Sequence, residues 1–204
     1  MKIKKIIAVL LIIFAISSLS LAGYLIYKSI SKEESKELKE LDNIEKYGYT
    51  LYDSKSELYK QEFKNLKTIL NSEQINEEEY AKSIAKLFAI DFYSLSDKKT
   101  NTDIGGTEFM YPSIKENFIL KATDTLYKYV ESNVYGERTQ KLPKVMKVEV
   151  ESCTETIYKN DDFSDEKSYE VTLNVTYNQE LGYPSKVVMT MSHSDNKLYI
   201  VEIK

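Results

Sequence analysis

The sequence predicts an α+β fold that follows an N-terminal transmembrane helix. Between residues 54 and 133, apolar side chains recur at the three- and four-residue spacing of amphipathic helices. From Leu142 onward they alternate with polar side chains, which is the period of strands. We therefore expect three helices packed on a four- to five-stranded antiparallel sheet, because that arrangement covers both apolar faces.

The predicted membrane anchor covers residues 6–27, which contain no charged side chain. A helix of this length, at about 1.5 Å per residue, reaches roughly 33 Å and spans a hydrocarbon core of about 30 Å. We expect residues 1–5 to form a cytoplasmic tail. The lysines on the two sides give no clear orientation. A long domain behind such a segment usually translocates, so the C-terminal domain is expected outside the cell membrane.

A cleaved signal peptide is the alternative interpretation of this segment. Ser20 and Ala22 place small residues at the −3 and −1 positions of a cleavage site before Gly23. The apolar run continues to Tyr27, beyond the point where the core of a signal peptide ends, and this favours a retained anchor.

Residues 28–46 mix lysine with glutamate and predict a helical or flexible stalk, in which Leu38, Leu41 and Ile44 recur every third position. Residues 47–204 then have the size of one domain. Its first helix is expected to begin near Ser54 and to end at Asn71. The second has the clearest start, with Asn76 and Glu79 spaced as a capping box.

Gly105 and Gly106 interrupt the pattern after the second helix, and residues 107–110 are expected to form a short strand. A third helix is expected after Pro112 and Ser113, with Ser113 and Glu116 spaced as a second capping box, and it is expected to run to about Asn133. The strands that follow are predicted to turn one set of apolar side chains inward: Met146, Val148 and Val150, then Tyr169, Val171, Leu173, Val175 and Tyr177, then Val187, Met189 and Met191, and finally Tyr199, Val201 and Ile203.

Charge and composition argue against several classes of function. The net charge is −4, and it becomes −7 when the three lysines of the leading segment are set aside. An acidic domain is a poor binder of nucleic acid, which requires clustered positive charge. Cys153 is the single cysteine, so no intrachain disulfide is expected, and with His193 as the single histidine no zinc site is expected either. No cofactor is predicted.

The order helix, helix, short strand, helix and antiparallel strands resembles the nuclear transport factor 2-like cone fold. Single-span, membrane-anchored domains of bacterial secretion and conjugation machinery use the same fold. The stretches IDFYSL at 90–95 and GGTEFMYP at 105–112 are also similar to an uncharacterised family of anchored proteins from Gram-positive bacteria. The resemblance covers roughly residues 47–204 and implies a cone-like domain, but it brings no catalytic motif.

Asp91 is the main candidate for a functional site. It lies three residues after Phe88 and four before Leu95, on the apolar stripe of the second predicted helix. Burial there raises the pKa of a carboxyl group unless a donor meets it. The resemblance implies that this face lines the interior of the cone, where isomerases keep an acid for proton transfer. Asp91, Phe88 and Tyr129 are therefore candidate pocket residues, and the alternative is a structural, hydrogen-bonded Asp91.

Two other features have structural interpretations. The sequence Ser192-His193-Ser194-Asp195 contains hydrolase residue types, but neighbours in sequence do not converge as a catalytic triad, so a polar hairpin turn is expected. Cys153 has acidic neighbours, which disfavour a reactive thiolate.

Three functions follow from these observations. The first is a non-enzymatic, membrane-anchored extracytoplasmic domain that binds a partner protein or assembles with itself. The second is a module that binds a small ligand in the cone interior, with Asp91 and nearby tyrosines as lining. The third is an isomerase- or dehydratase-like enzyme centred on Asp91. The sequence offers no second polar residue that would take part in catalysis with it.

Overall fold

A computed structural model of the chain describes Ser20, Leu21, Gly23, Tyr24 and residues 39–160 and 163–204. Contacts divide the chain into two units, Met1–Lys39 and Glu40–Lys204. The predicted tail (1–5), most of the predicted anchor (6–27) and the predicted stalk up to residue 38 lie outside the described residues; the four described residues of the anchor are helical. Among the described residues, no helix is long and apolar enough to cross a membrane.

The second unit has an α+β fold with three helices, a four-stranded antiparallel sheet and a separate two-stranded sheet. The fold class, the number of helices and the four main strands are confirmed. In chain order the elements are β1 (Glu40–Ile44), β2 (Tyr49–Tyr52), α1 (Glu57–Leu70), α2 (Glu77–Tyr93), α3 (Pro112–Asp124), β3 (Val145–Lys159), β4 (Ser164–Tyr177), β5 (Lys186–Ser194) and β6 (Lys197–Ile203).

The first two strands correct the predicted stalk. β1 pairs antiparallel with β2, and Ile44 is buried in the core, so residues 40–44 belong to the folded unit. A 3₁₀ turn over Glu45–Tyr47 joins them, and Gly48 at φ +62° closes it in a left-handed conformation that favours glycine. The three-residue spacing of Leu41 and Ile44 was too short a signal to distinguish a helix from a strand.

α1 and α2 each begin where a side-chain cap satisfies one of the first N–H groups, whereas α3 begins at Pro112 with no side-chain cap. At α2, Asn76 Oδ1 accepts from the N–H of Glu79, as predicted. At α1 the cap is Ser56, whose hydroxyl accepts from Tyr59 N–H, so the expected start near Ser54 is two residues early. The predicted end of α1 at Asn71 is confirmed.

α2 is the centre of the fold. It lies against β3, β4 and β6 on one side and packs on α1 on another, so apolar side chains around most of its surface are buried. α3 contacts it through Phe118, whose ring lies 5.9 Å from that of Phe88 and 5.2 Å from that of Phe92. The interior between α2 and the sheet is filled by side chains with almost no exposed surface: Ile84, Ala85, Leu87, Val171, Leu173, Met189, Met191 and Ile200.

Two predicted elements around α3 are wrong. Thr107–Phe109 forms a 3₁₀ turn rather than a strand, and only Met110 makes a bridge, with Ile200 of β6. α3 ends at Asp124 rather than near Asn133. The chain leaves the helix because Tyr127 is buried and its hydroxyl donates to the carbonyl of Phe92 at 2.6 Å.

The main sheet has the order β3-β4-β5-β6, with each strand antiparallel to the next. The predicted inward residues of β4 from Tyr169 to Val175, and all three of β5, are buried. In β3 an irregularity between Val145 and Lys147 buries Val145 and leaves Met146 56% exposed. In β6 a shift opposite Thr190 and Met191 turns Leu198 and Ile200 inward instead of Tyr199. Each bulge adds one residue and reverses the faces beyond it.

Candidate functional site

Asp91, near the C-terminal end of α2, is the centre of a buried ion-pair cluster. Its side chain is 11% exposed. Lys55 Nζ donates to Oδ2 at 2.7 Å and Lys98 Nζ donates to Oδ1 at 2.8 Å. The backbone N–H of Gly106 also donates to Oδ2, at 2.8 Å. The carboxylate is therefore held by three donors from three separate segments of the chain.

These donors decide the charge state of the carboxyl group. Burial alone raises the pKa of Asp91, but the charges and hydrogen bonds of Lys98 and Lys55 outweigh it and hold the pKa well below its usual range. A carboxylate that stays ionised and bonded on both oxygens is a weak general base. This geometry fits the structural interpretation of Asp91 better than the catalytic one.

The glycine pair 105–106 is required by close approach to the cluster. A Cβ on Gly105 would lie 2.4 Å from the Asp91 carbonyl oxygen and 2.5 Å from Lys98 Nζ. Gly106 has φ +70°, and a Cβ there would lie 2.5 Å from the Phe88 ring. Phe88 therefore packs beneath the loop, and the N–H of Gly106 in the loop donates to Asp91.

Lys98 is fixed in place by the single arginine of the chain. Arg138 donates from Nη1 to the carbonyl of Lys98 at 2.9 Å and from Nη2 to that of Ser96 at 2.6 Å. Nη1 also donates to the carbonyl of Glu131. Lys98, whose side chain is 7% exposed, is thus held both at its backbone and at its ammonium group.

Glu108 forms the second acidic position of the site. It accepts a 2.9 Å hydrogen bond from the Tyr59 hydroxyl, and Lys55 Nζ lies 4.9 Å from the centre of the Tyr59 ring. Burial raises the pKa of Glu108, although the Tyr59 hydrogen bond and the Lys55 charge act in the opposite direction. Burial also lowers the pKa of Lys197, which the charge of Glu108 partly offsets.

Four of these charged residues, Lys55, Asp91, Lys98 and Glu108, line a cavity of about 340 Å³. Its walls are Gly48, Thr50 and Tyr52 of the β1–β2 hairpin, together with Lys55, Asp91, Lys98 and residues 103–108. No residue of β3–β6 contributes, so the cavity is not the interior between α2 and the sheet in which the pocket was expected. Tyr129 is not part of it; its side chain is 76% exposed, and Lys128 Nζ lies 5.2 Å from its ring centre.

The polar sequence 192–195 is divided between a strand and a turn. Ser192 and His193 belong to β5, and the turn to β6 is at Asp195, with φ +55°. His193 Nδ1 lies 3.0 Å from Asp165 Oδ2, and Nε2 lies 3.5 Å from Glu77 Oε2. The Ser192 hydroxyl instead bonds that of Ser168, at 2.6 Å. Among the described residues there is no serine–histidine contact here, so this cluster is not a hydrolase triad.

Cys153 is half-buried beside α2. Burial raises the pKa of its thiol to about 11, and the charge of Glu78 acts in the same direction. Such a thiol is almost entirely protonated at neutral pH, which agrees with the predicted low reactivity. Within the described part of the chain, no group of three or more histidine, cysteine or acidic side chains is suited to hold a metal ion.

A second feature is the 125–140 segment, which is ordered by side-chain hydrogen bonds yet exposes large apolar side chains. Gln140 donates to the carbonyl of Tyr129 and accepts from the N–H of Glu131. The N–H of Asn133 donates to the carbonyl of Lys99 at 2.7 Å. Tyr127 and Val130 are buried, whereas Tyr129, Val134 and Tyr135 extend into solvent.

Comparison with protein-family models, curated proteins and solved structures found no match for this chain. The candidate site therefore depends on its geometry alone. The sequence pointed to Asp91 and Phe88, but it did not identify Lys55, Lys98, Glu108 or Arg138. The glycine pair was the one local signal of the site, because adjacent glycines often indicate a close backbone approach.

Proposed function

We propose that the chain is a non-enzymatic, membrane-anchored protein whose extracytoplasmic domain binds a partner protein. The proposal depends mainly on the 125–140 segment. Its backbone is held by side-chain hydrogen bonds, and it exposes the side chains of Tyr129, Val134 and Tyr135 to solvent. Aromatic side chains on ordered backbone supply contact area at low entropic cost, and tyrosine is enriched at protein interfaces. The side chains of Gln140 and Arg138 hydrogen-bond the backbone of Tyr129 and Glu131 and so hold this segment in place.

The anchoring part of the proposal is supported by the uncharged stretch 6–27. The α+β order of the folded unit is compatible with the cone-like, anchored bacterial domains that the sequence resembles. We expect the full chain to stay with membranes through carbonate washing and to be released by detergent. Soluble protein with a mature N-terminus at Gly23 would contradict the anchor.

The binding part is tested with a photo-crosslinking amino acid at position 135 of the full chain in native membranes. We expect a discrete crosslinked species that disappears when Tyr129 and Val134 are both changed to alanine. A species of twice the chain mass would indicate self-assembly, and another mass would indicate a different protein. The same probe at exposed Glu73, between α1 and α2, is the matched control. Equal crosslinking from both positions would reject this surface.

A second candidate function is binding of a small ligand, and the cavity beside Asp91 is the observation that favours it. Its volume lies at the lower end of the range for small-molecule sites, about 300–1,000 Å³. An enzymatic role receives less support, because Asp91 is already bonded by three donors.

A further inference from the structure

The partly buried charges around the cavity are unbalanced. Three ammonium groups, those of Lys55, Lys98 and Lys197, accompany two carboxylates, those of Asp91 and Glu108. Lys55, Lys98, Asp91 and Glu108 line the cavity, and a Cβ on Gly48, at its wall, would lie 3.7 Å from Lys197 Nζ. A third lining carboxylate, that of Asp103, is exposed and accepts from the N–H of Lys99, so water screens its charge.

Some hydrogen-bond donors in the cavity wall are not used on Asp91. Each lysine ammonium has three N–H groups, and Lys55 and Lys98 each use one of them on Asp91. Within the described residues, the hydroxyls of Thr50 and Thr107, which also line the cavity, make no side-chain hydrogen bond. The walls thus offer cationic and hydroxyl donors to a small acceptor.

Asp91 keeps these donors in place before any ligand arrives. It fixes the Lys55 and Lys98 ammonium groups from opposite oxygens, and Arg138 holds the backbone of Lys98. Preorganised donors lose little conformational freedom on binding, which favours affinity. Asp91 is in this sense a positioning residue and not a group that contacts the ligand.

We propose that this cavity binds a small oxyanion through Lys55, Lys98, Thr50 and Thr107. The class includes inorganic phosphate and short carboxylates, because both present oxygen acceptors that suit ammonium and hydroxyl donors. The proposal develops the ligand-binding candidate and does not depend on the 125–140 segment. Failure of the crosslinking experiment therefore does not contradict oxyanion binding, and failure of the oxyanion experiment does not contradict partner binding.

The test is thermal unfolding of the full chain in detergent with inorganic phosphate, acetate or chloride at equal ionic strength. Binding to the folded state raises the unfolding midpoint, so we expect phosphate or acetate to raise it at millimolar concentration and chloride to have no effect. Phosphate and acetate are separate arms, and the larger shift identifies the preferred oxyanion. Shifts equal to that of chloride in both arms would overturn the proposal.

Variants separate specific binding from the general stabilisation that phosphate gives folded proteins. We expect Lys55→Met to abolish the shift and Lys60→Met, which removes a surface pair with Glu57, to retain it. Thr107→Val leaves the ion pairs intact, so it remains informative if Lys55→Met does not fold. Calorimetric titration should show that the Thr107→Val variant binds phosphate or acetate about tenfold more weakly than the wild type does. Unchanged shifts in Lys55→Met, or unchanged affinity in Thr107→Val, would overturn the proposal.

Discussion

The N–H of Gly106 donates a 2.8 Å hydrogen bond to Oδ2 of Asp91, and the same oxygen accepts from Lys55. This contact joins the loop after α2 to the helix itself and explains why two glycines stand at 105–106. Asp91 thus joins the turn between β2 and α1, which carries Lys55, to the helix and to the loop.

Replacement of Asp91 by leucine should destabilise the domain strongly. The change removes the acceptor of two lysines and one N–H, and it leaves two ammonium groups facing each other in a largely buried site. Breaking such a pair costs about 3–5 kcal/mol. Urea unfolding midpoints measure the effect. Asp53→Leu, at an exposed position, is the matched control and should change stability by less than about 0.5 kcal/mol. A gain in stability for Asp91→Leu would contradict the structural role.

The pH dependence of stability should distinguish Asp91 from Glu108. The folded-state pKa of Asp91 lies below its unfolded value of about 3.9, so its contribution is complete above that pH and is lost as the pH falls below it. The stability difference between the wild type and Asp91→Asn should therefore shrink by up to about 1.4 kcal/mol per pH unit below pH 4.

The contribution of Glu108 to stability changes with pH in the opposite direction, because the pKa of Glu108 is raised in the folded state. Glu108→Gln removes the buried charge and keeps an oxygen that accepts from Tyr59. It should stabilise the domain at pH 7, and this gain should disappear as acid protonates Glu108 in the wild type. Glu116→Gln, on the exposed face of α3, controls for a general loss of negative charge. A loss of stability at pH 7 would show that the attraction of Glu108 to nearby lysines exceeds its burial cost.

Two glycines with the same backbone conformation should respond differently to alanine. Gly106 and Gly136 have φ values of +70° and +77°, but a Cβ meets the Phe88 ring only at Gly106, and nothing lies within 4 Å at Gly136. Gly136→Ala should cost about 1–2 kcal/mol from the left-handed conformation alone. Gly106→Ala should cost about 1–3 kcal/mol more, because the core around Phe88 is already filled. Equal unfolding midpoints for the two variants would show that the Phe88 ring moves aside for the added methyl group without a loss of stability.

Local sequence signals predicted the elements that local interactions define. The capping pattern of Asn76 and Glu79 placed the start of α2, and the alternation from Tyr169 to Val175 gave the inward face of β4. The faces of β3 and β6 were partly reversed, because a bulge depends on pairing with the neighbouring strand and has no signature in one strand alone.

The partners of Asp91 were not predictable from sequence in the same way. Lys55 precedes it by 36 residues, and lysine is abundant throughout the chain. Which lysine meets the carboxylate is decided by how α1, the loop and α2 pack. The apolar spacing around Asp91 showed that it would be buried, but burial alone does not identify the donor that accompanies it.

The final prediction concerns the N-terminal boundary of the folded unit, which the sequence placed at Tyr47. A chain that begins at Lys39 keeps β1, in which Ile44 is buried and Asp42 pairs with Lys67 of α1. A chain that begins at Tyr47 loses that burial and leaves β2 without its partner strand. We expect the shorter chain to be less stable by on the order of 3 kcal/mol, since a buried isoleucine and several backbone hydrogen bonds are removed.

Point substitutions separate the role of β1 from the effect of shortening the chain. In the chain that begins at Lys39, Ile44→Ala should cost about 2 kcal/mol or more, whereas Leu41→Ala, at a half-exposed position of the same strand, should cost less than about 0.5 kcal/mol. Urea midpoints of the two chains and the two variants decide the matter. If the chains from Lys39 and Tyr47 unfold at the same urea concentration, β1 contributes nothing to the fold and the boundary is at Tyr47.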